Sequence, residues 1–558
     1  MLSVFLKVLT FVALLGISLS MHAQKWLQSI VDENPDVIDS IVVNRQDVYA
    51  NQNGYSSYRI YYHQPLVHAN PEGEQMPLRA VMLIRKGTNM ETSLMECNVS
   101  GYNLGDVFWN TPSVYMGSRY YPNGTNEVAL QYKGNWIGLE HRYFGESLPK
   151  NYWRRLEYCT AEEAAADFHA LITALKTSLK GKWVVSGISK GGIAVAKQHA
   201  FYPEDADLFM PYSAPFCDGV ADPSMMAYWT TYSWTDDLRN EVKAFQRQLI
   251  KNKQVYQYFK SWNQSGFPGH SANFWRAKYL QSVATIDFSA HAYWSRQALK
   301  DSLAITKTRK QVLMNQGNSS DYLDALMVFY CTISSYEAWD FILSDSKAAH
   351  RGQQVVPVKD WIHRVFRPVS IDKSKWDPSS TAFYYQTLHE EGYFGLDFTY
   401  LFDADEQQLA EQCNREWAAG GASTFNNPFN EQVEYDSTIR TKVLMATRRA
   451  KKPIIYFYGS DDAWTGAAIP DDCIDNQMAY KYILNAQSHM ACIDKTSGKL
   501  KTELWNLVDQ LLNTPAEIKE NVKIEKSNNE SLYNLQGRRI TSPQRGINIV
   551  NGKKVLVR

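Results

Sequence analysis

The sequence lacks the patterns by which several protein classes are recognised. Its seven cysteines include no Cys-x-x-Cys pair and no histidine–cysteine cluster, so we expect no metal and no other cofactor. Lysine plus arginine and aspartate plus glutamate are equal at 58 each, so no net field attracts nucleic acid or an anionic membrane. The expected partner is therefore small and roughly neutral. No part of the sequence indicates the oligomeric state.

An odd number of cysteines cannot all pair, so at least one thiol must be free. Cys473 and Cys492 are close in the sequence, and a disulfide between them is a hypothesis that the structure can test.

The first 23 residues have the pattern of a signal peptide. A single basic residue, Lys7, precedes the apolar run from Val8 to Ile17, and Ala23 supplies a small residue for cleavage. The run is shorter than the roughly 20 apolar residues of a membrane anchor, and no later run is long enough. We therefore expect cleavage near Ala23 and an exported protein, secreted or periplasmic, whose mature form has no membrane span.

The most informative motif is Gly187-x-Ser189-x-Gly191. It follows the apolar segment Trp183–Val185 and precedes the helix-forming run Ile193–Ala200. An apolar strand, a Gly-x-Ser-x-Gly turn and a helix outline a nucleophile elbow, in which the glycines permit a sharp turn that exposes the serine hydroxyl above the sheet. The motif alone is weak, but this context favours a covalent hydrolase with Ser189 as the nucleophile.

The acid and the base should follow Ser189 in the chain order that α/β-hydrolases use, serine, then aspartate or glutamate, then histidine. A late apolar strand pattern ends at Gly459, so Asp462 is the predicted acid and Asp461 is its close competitor. His489, the only histidine after Asp462, lies in a polar loop ahead of a closing helix. In this reading Asp462 orients His489, which takes the proton of Ser189.

Two backbone donors should form an oxyanion hole. One is the N–H of Lys190, the residue after the nucleophile, and the other should come from a loop after an early strand. The segment Gly101–Gly105 is the candidate loop, with Tyr102 as the donor, although a glycine pair more often marks only a turn.

Strand and helix patterns alternate on both sides of a long segment of different character. Runs at Ser57–Tyr62 and Leu78–Ile84 predict an antiparallel hairpin, and Val128–Leu130 and Trp136–Leu139 are further strand candidates. Thr160 opens a capping box ahead of an amphipathic helix. Between residues 221 and 430 aromatic and amphipathic segments dominate, which predicts a mainly helical insertion.

The predicted fold class is α/β: an α/β-hydrolase fold with a large, mainly helical cap insertion and a short C-terminal β-tail. The predicted segments are a signal peptide (1–23), the first part of the hydrolase domain (24–220), the helical cap (221–430), the second part of the hydrolase domain (431–513), a linker (514–530) and a β-hairpin tail (531–558). The tail resembles the short C-terminal β-tails of exported Bacteroidetes proteins.

The segment Gly134–Pro149 contains Glu140-His141-Arg142-Tyr143-x-Gly-x-Ser-x-Pro, which resembles the signature of prolyl-specific serine peptidases. Two related families share it. In the lysosomal Pro-Xaa carboxypeptidase and dipeptidyl peptidase II family the elbow usually reads Gly-x-Ser-Tyr-Gly-Gly. In peptidase family S37, the bacterial tripeptidyl and prolyl tri/tetrapeptidyl aminopeptidases, a lysine follows the serine, as Lys190 does here.

Two further motifs extend the resemblance to roughly residues 40–513. Gln64–Pro71 is similar to the family's Q-P-x-D-H-x-N-P, with Val67 where aspartate is usual. The acid loop resembles G-x-x-D-P-W, with Ala463 in place of proline, and this spacing favours Asp462 over Asp461.

The resemblance implies a peptidase that releases short peptides from a free N-terminus and has a possible preference for proline at the cleaved bond. Such an enzyme needs a carboxylate for the substrate ammonium, and Glu140 and Glu146 are the candidates. Alternatively, Glu140 and Arg142 form a structural ion pair. Two other functions remain open: a carboxylic-ester hydrolase of the same fold, and a non-catalytic protein whose aromatic insertion binds peptide or glycan.

Overall fold

The computed structural model describes residues 25–116, 126–266, 270–287, 296–331, 377–420, 433–474 and 477–513, and three short strands near the C-terminus. The predicted signal peptide and linker lie outside the described residues. The strands of the main sheet are β1 (Ile38–Val43), β2 (Tyr55–Pro65), β3 (Gln75–Arg85), β4 (Met95–Val99), β5 (Asn135–Leu139), β6 (Trp183–Ile188), β7 (Leu208–Tyr212), β8 (Ile454–Gly459) and β9 (Ala479–Leu484).

The helices are α1 (residues 25–33), α2 (Gly105–Asn110), α3 (Glu127–Gln131), α4 (Ala161–Lys176), α5 (Lys190–Phe201), α6 (Ser224–Thr231), α7 (Asp236–Lys251), α8 (Lys253–Gly266), α9 (Ala272–Ala284), α10 (Arg296–Asn315), α11 (Ser320–Cys331), α12 (Pro378–Gln386), α13 (Gln407–Ala419), α14 (Ser437–Arg448) and α15 (Gly498–Asn513). A π-helical turn, Thr387–Glu391, continues α12.

Within the described residues the nine strands form one sheet in the order β1-β2-β3-β5-β4-β6-β7-β8-β9. Strands β1, β2, β3 and β5 pair antiparallel in sequence, and every pair from β5 to β9 is parallel. The chain leaves β4 for β5 on one side and comes back to β6 on the other. The loops that follow β4 and β6 therefore lead away from each other. The carboxyl ends of these two strands thus form the switch point at which open α/β sheets bind ligands. With the Ser189 turn after β6, this topology confirms the α/β-hydrolase fold.

The central parallel strands are buried along their whole length because helices cover both faces of the sheet. Helices α4, α5 and α14 pack on one face, and α3 and α15 pack on the other. Of the predicted capping box at the start of α4, the N-cap half is present, since Thr160 Oγ1 accepts the N–H of Glu163 at 3.4 Å, whereas Glu163 Oε2 accepts the N–H of His68 at 2.9 Å. The hairpin is confirmed, with Ser57 opposite Leu83 in β2 and β3.

Between β7 and β8 the described residues are mainly helical. We call helices α6–α13 and the π-helical turn the helical region. Much of it shares a separate apolar core in which Trp229, Tyr279 and Phe398 are buried. That core also includes Trp464, which follows β8, so the helical region packs against the carboxyl edge of the sheet. In the described part of the tail, β10 (Leu532–Asn534), β11 (Gly546–Val550) and β12 (Lys553–Val557) pair antiparallel.

One expectation about local structure is wrong. Val128–Leu130 is not a strand but lies in the helix α3, because a short apolar run does not distinguish a strand from a buried helical turn. Strand β4, which pairs parallel with β5, has no counterpart among the predicted strands, because its polar residues Glu96 and Asn98 interrupt the apolar pattern.

The proposed Cys473–Cys492 disulfide is also wrong. Both are free, buried thiols, as are Cys97, Cys159, Cys217 and Cys413. Cys473 packs with Tyr456, whereas Cys492 packs with Ile455. Neighbouring residues of β8 point to opposite faces, so the sheet itself separates the two thiols. Among the described residues no helix combines the length and the apolar character that a membrane crossing requires.

Glu96 in β4 and Glu127 in α3 are fully buried carboxyl groups. Glu96 Oε2 accepts the N–H of Ala129 at 2.7 Å, and Glu127 Oε1 accepts the hydroxyl of Tyr212 at 2.6 Å. Burial raises the pKa of Glu96 to about 8 and that of Glu127 to about 7, because the charged form loses its hydration. Below pH 7 the folded protein therefore holds both groups protonated.

Stability should consequently fall as the pH rises. An unperturbed glutamate loses its proton near pH 4.5, so above that pH the folded state binds protons that the unfolded chain has released. The free energy of unfolding should decrease up to pH 8 by at most about 1.4 kcal/mol per pH unit for each proton. Glu96→Gln, which is neutral at every pH, should flatten this slope in urea denaturation at pH 5, 6.5 and 8. The exposed Glu91→Gln is the control, and an unchanged slope in Glu96→Gln would contradict the assignment.

Candidate active site

Ser189 occupies a strained backbone position between β6 and α5. Its φ is 60° and its ψ is −124°, a conformation that non-glycine residues rarely adopt. The flanking glycines are required by close backbone approach: a Cβ on Gly187 would lie 2.5 Å from the carbonyl oxygen of Gly191, and one on Gly191 would lie 2.7 Å from that of Val99. The turn therefore presents a partly exposed Ser189, while the following Lys190 is buried.

Asp462, in the loop after β8, and His489, in the loop after β9, are in contact. His489 Nδ1 lies 2.9 Å from Asp462 Oδ2, and both side chains are buried. The other carboxylate oxygen of Asp462 accepts the N–H of Trp464 at 3.1 Å, which orients the carboxylate. The Trp464 ring also lies beside the imidazole, with 6.0 Å between the centroids. The imidazole thus has a carboxylate at one nitrogen and an aromatic neighbour.

The end of β7 holds the serine and histidine segments next to each other. The N–H of Ser189 donates to the carbonyl of Tyr212 at 2.9 Å. The next residue, Ser213, donates its hydroxyl to the carbonyl of His489 at 2.7 Å. Ser213 was missed from the sequence, although the apolar run of β7, Leu208–Tyr212, would have indicated a strand ending there. Tyr212, the last residue of β7, and Ser213, which follows it, therefore position both predicted catalytic groups.

The predicted oxyanion loop lies against the elbow. Gly101 has a φ of 69°, and a Cβ there would lie 2.5 Å from the backbone nitrogen of Gly191. The loop after β4 and the N-terminal turn of α5, which starts at Lys190, are therefore adjacent. The N–H of Tyr102 itself donates to Ser100 Oγ at 3.2 Å. The assignment of the second oxyanion donor to Tyr102 stays a prediction.

The Lys190 side chain points into a buried group of charges. Its Nζ lies 3.5 Å from Glu391 Oε1, and it also faces the rings of Tyr102 and Phe144 at 5.7 and 5.1 Å. Burial lowers the pKa of Lys190, and Glu391 opposes that shift. The elbow lysine thus connects the nucleophile helix to both the oxyanion loop and the helical region.

A second lysine of α5 completes this group. Lys197 Nζ donates to Glu391 Oε1 at 2.8 Å and to Glu390 Oε1 at 3.2 Å. Burial alone would raise the pKa of Glu391, but Lys190 and Lys197 outweigh it, and the pKa is lowered. Glu390 in turn accepts the N–H of Ala161 at the start of α4. The π-helical turn is therefore tied to two helices of the sheet domain.

Glu140 does not face a substrate site. It is completely buried and pairs with Arg79, at 2.6 Å from Nε and 2.9 Å from Nη2. Its carboxylate also accepts the N–H of Leu104 and the hydroxyl of Ser147. The carboxylate therefore joins β3, which carries Arg79, to the loops that contain Leu104 and Ser147. The predicted amine contact through Glu140 therefore has no geometric support.

The alternative ion pair between Glu140 and Arg142 is wrong. Arg142 is buried and donates to both carboxylate oxygens of Asp167 in α4, at 2.7 and 2.8 Å. Glu140 and Arg142 therefore have different partners, Arg79 and Asp167. Glu146, the other predicted amine ligand, is exposed.

Comparisons with known proteins agree with these motifs. Residues 36–312 match the family model described as PS-10 peptidase S37. The prolyl tri/tetrapeptidyl aminopeptidase of Streptomyces mobaraensis is 27% identical over 241 residues, which cover 42% of this chain and 46% of that protein. The lysosomal Pro-X carboxypeptidase of Homo sapiens is 34% identical over 125 residues, 20% of this chain and 23% of that protein. The chain thus spans less than half the length of these curated relatives.

Among solved structures, the peroxisomal α/β-hydrolase of Saccharomyces cerevisiae is similar over 85% of this chain and 94% of its own, with 10% identity and a TM-score of 0.34. The match over residues 36–312 confirms the resemblance that the elbow lysine and the Glu140-His141-Arg142 motif indicated, so this chain is a relative of the S37 peptidases.

Proposed function

We propose that the protein is an exported serine exopeptidase that cleaves short peptides from free N-termini through an acyl-enzyme. The observation that carries the proposal is that two consecutive residues at the end of β7, Tyr212 and Ser213, hold the strained Ser189 and the His489–Asp462 pair next to each other. This is the arrangement of a serine nucleophile, a general base and an orienting acid.

The chemistry follows from the contacts of the imidazole. With Nδ1–H donating to Asp462, Nε2 is the basic nitrogen. As Ser189 Oγ bonds to the scissile carbonyl carbon, its proton passes to His489, which then protonates the leaving amine as the C–N bond breaks. A water molecule then attacks the acyl ester and gives a proton to His489, which passes that proton to Ser189 Oγ as the ester C–O bond breaks and the acid product leaves. The N–H of Lys190 and the Tyr102 loop are the proposed donors to the oxyanion.

The substrate class rests on the relatives and on the surroundings of the base. The Streptomyces mobaraensis relative is a prolyl tri/tetrapeptidyl aminopeptidase, which makes release of short peptides the proposed reaction here. A row of rings runs from the oxyanion loop to the base, with centroids 5.3 to 6.2 Å apart: Tyr102, Phe383, Tyr393, Trp464 and His489. Such an aromatic surface favours binding of an apolar residue, proline included, beside the scissile bond.

The proposal includes a binding site for the substrate ammonium and a route of export. Glu140 is engaged with Arg79, so Glu146 is the remaining candidate for the ammonium. Residues 1–23 are the proposed signal peptide, with cleavage near Ala23.

The proposed reaction predicts a strict dependence on Ser189 and on a free N-terminus. Ser189→Ala should lower kcat for a tripeptide anilide by on the order of 10⁶-fold, because no other group supplies the nucleophile. Blocking the N-terminus of the substrate should abolish turnover by the wild type. Both effects are measured by anilide release, with short-chain esters assayed in parallel. Equal rates on blocked peptides would exclude an aminopeptidase, turnover of esters alone would favour an esterase, and activity of Ser189→Ala would overturn the nucleophile.

The two neighbouring aspartates should differ in their effect. Asp462→Asn should lower kcat by about 10⁴-fold, because the amide no longer holds the required tautomer of His489. Asp461→Asn makes the same chemical change one residue away and should lower kcat/KM by only about 10–100-fold. The smaller loss is expected because this substitution only shifts the position of neighbouring groups. Circular dichroism checks that both variants are folded. A larger loss from Asp461→Asn would transfer the role of acid to Asp461.

A further inference from the structure

Asp461 binds the helical region rather than serving as a second acid. Its side chain is 2% exposed, and its carboxylate makes two parallel contacts with Arg296, Oδ2 to Nε and Oδ1 to Nη2, both 2.7 Å. Arg296 is the first residue of α10 and is 31% exposed. Paired donors from one guanidinium to one carboxylate are the geometry that gives arginine its strongest and most directional ion pairs.

A second part of the helical region meets the same carboxylate. The N–H of Trp234, in the turn between α6 and α7, donates to Asp461 Oδ1 at 3.2 Å. Trp234 has a φ of 61°, and its carbonyl accepts from Arg239 at 3.1 Å, so this strained turn is held from both sides. The Trp234 ring packs with Leu299 of α10. The start of α7 and the start of α10 therefore converge on Asp461.

On its other side Asp461 belongs to the catalytic loops. Its N–H donates to the carbonyl of Gln487 at 2.9 Å, two residues before His489. The preceding residue, Ser460, accepts the N–H of Ala486 at its Oγ and the hydroxyl of Tyr228, from α6, at its carbonyl. Ser460 and Asp461 thus connect the acid loop to the histidine loop and to three residues of the helical region: Tyr228, Trp234 and Arg296.

We propose that Asp461 and Arg296 form a latch that positions the helical region over the catalytic loops, so that turnover of peptides depends on the pair while the reaction of Ser189 with a small reagent does not. The inference rests on the proposed peptidase function. Its physical basis is that a buried carboxylate without its cation must recover hydration. Water can reach Asp461 only if the Trp234 turn and α10 move away, and that movement displaces the surface that holds a peptide.

The test compares Arg296→Met and Arg296→Lys with Arg247→Met. Arg247 is the matched control because its ion pair with Asp403 lies wholly within the helical region. In Arg296→Met we expect kcat/KM for a tripeptide anilide with a free N-terminus to fall by about 10–100-fold, mostly through KM, because a small displacement is enough. Inactivation by phenylmethanesulfonyl fluoride, which needs only Ser189 and its base, should keep the wild-type rate. Arg296→Lys, which retains the charge, should recover most of the loss, and Arg247→Met should behave as the wild type.

A measurement without substrate separates this inference from the proposed function. Amide hydrogen exchange in α6 and α7 should be faster in Arg296→Met than in the wild type and unchanged in Arg247→Met. Should the wild type cleave no peptide, the peptidase proposal fails and exchange alone decides the latch. Unchanged exchange overturns the latch. An equal loss of peptide turnover and of reaction with the sulfonyl fluoride also overturns it, because the pair would then act on the catalytic groups themselves.

Discussion

The backbone of Ser189 is held in a conformation that costs about 1–3 kcal/mol, and the packing of the elbow must supply that energy. The cost is met by contacts that only glycine permits, since Gly187, Gly191 and Gly101 bring three backbone segments together without side chains between them. A hydrogen bond from Ser189 to Tyr212 fixes the same turn to β7. Because Ser213, which directly follows β7, also holds the His489 loop, the strained turn and the base depend on the same part of the chain.

Two groups of ion pairs, one buried and one partly buried, connect the helical region to the sheet. Lys190 and Lys197 meet Glu390 and Glu391 beneath the elbow, while Arg296 meets Asp461 beside the acid loop. Buried pairs contribute little net stability, because desolvation offsets most of the attraction, but an unpaired member is very costly. These ion pairs therefore determine the position of the helical region more than the stability of the fold. The orientation of these helices is thus coupled to the loops that carry the catalytic residues.

The local motifs could be predicted because their chemistry is short-range. The elbow, the N-cap at Thr160 and the strand before Asp462 are set by glycine, by side-chain capping and by apolar runs, all of which are visible in a few residues. The partners of charged residues could not be predicted in the same way. Glu140 pairs with Arg79, 61 positions away, and Arg142 pairs with Asp167.

The sequence by itself determined the order and type of the reactive residues, the position of the elbow and the α/β alternation, because each depends on neighbouring residues and their period. Only the tertiary structure decided which charges meet, why Cys473 and Cys492 stay apart, and that Asp461 binds the helical region while Asp462 faces the histidine. Those outcomes depend on how strands are ordered in the sheet and how helices pack on it. Distances across a folded sheet are not encoded in the spacing of residues along the chain.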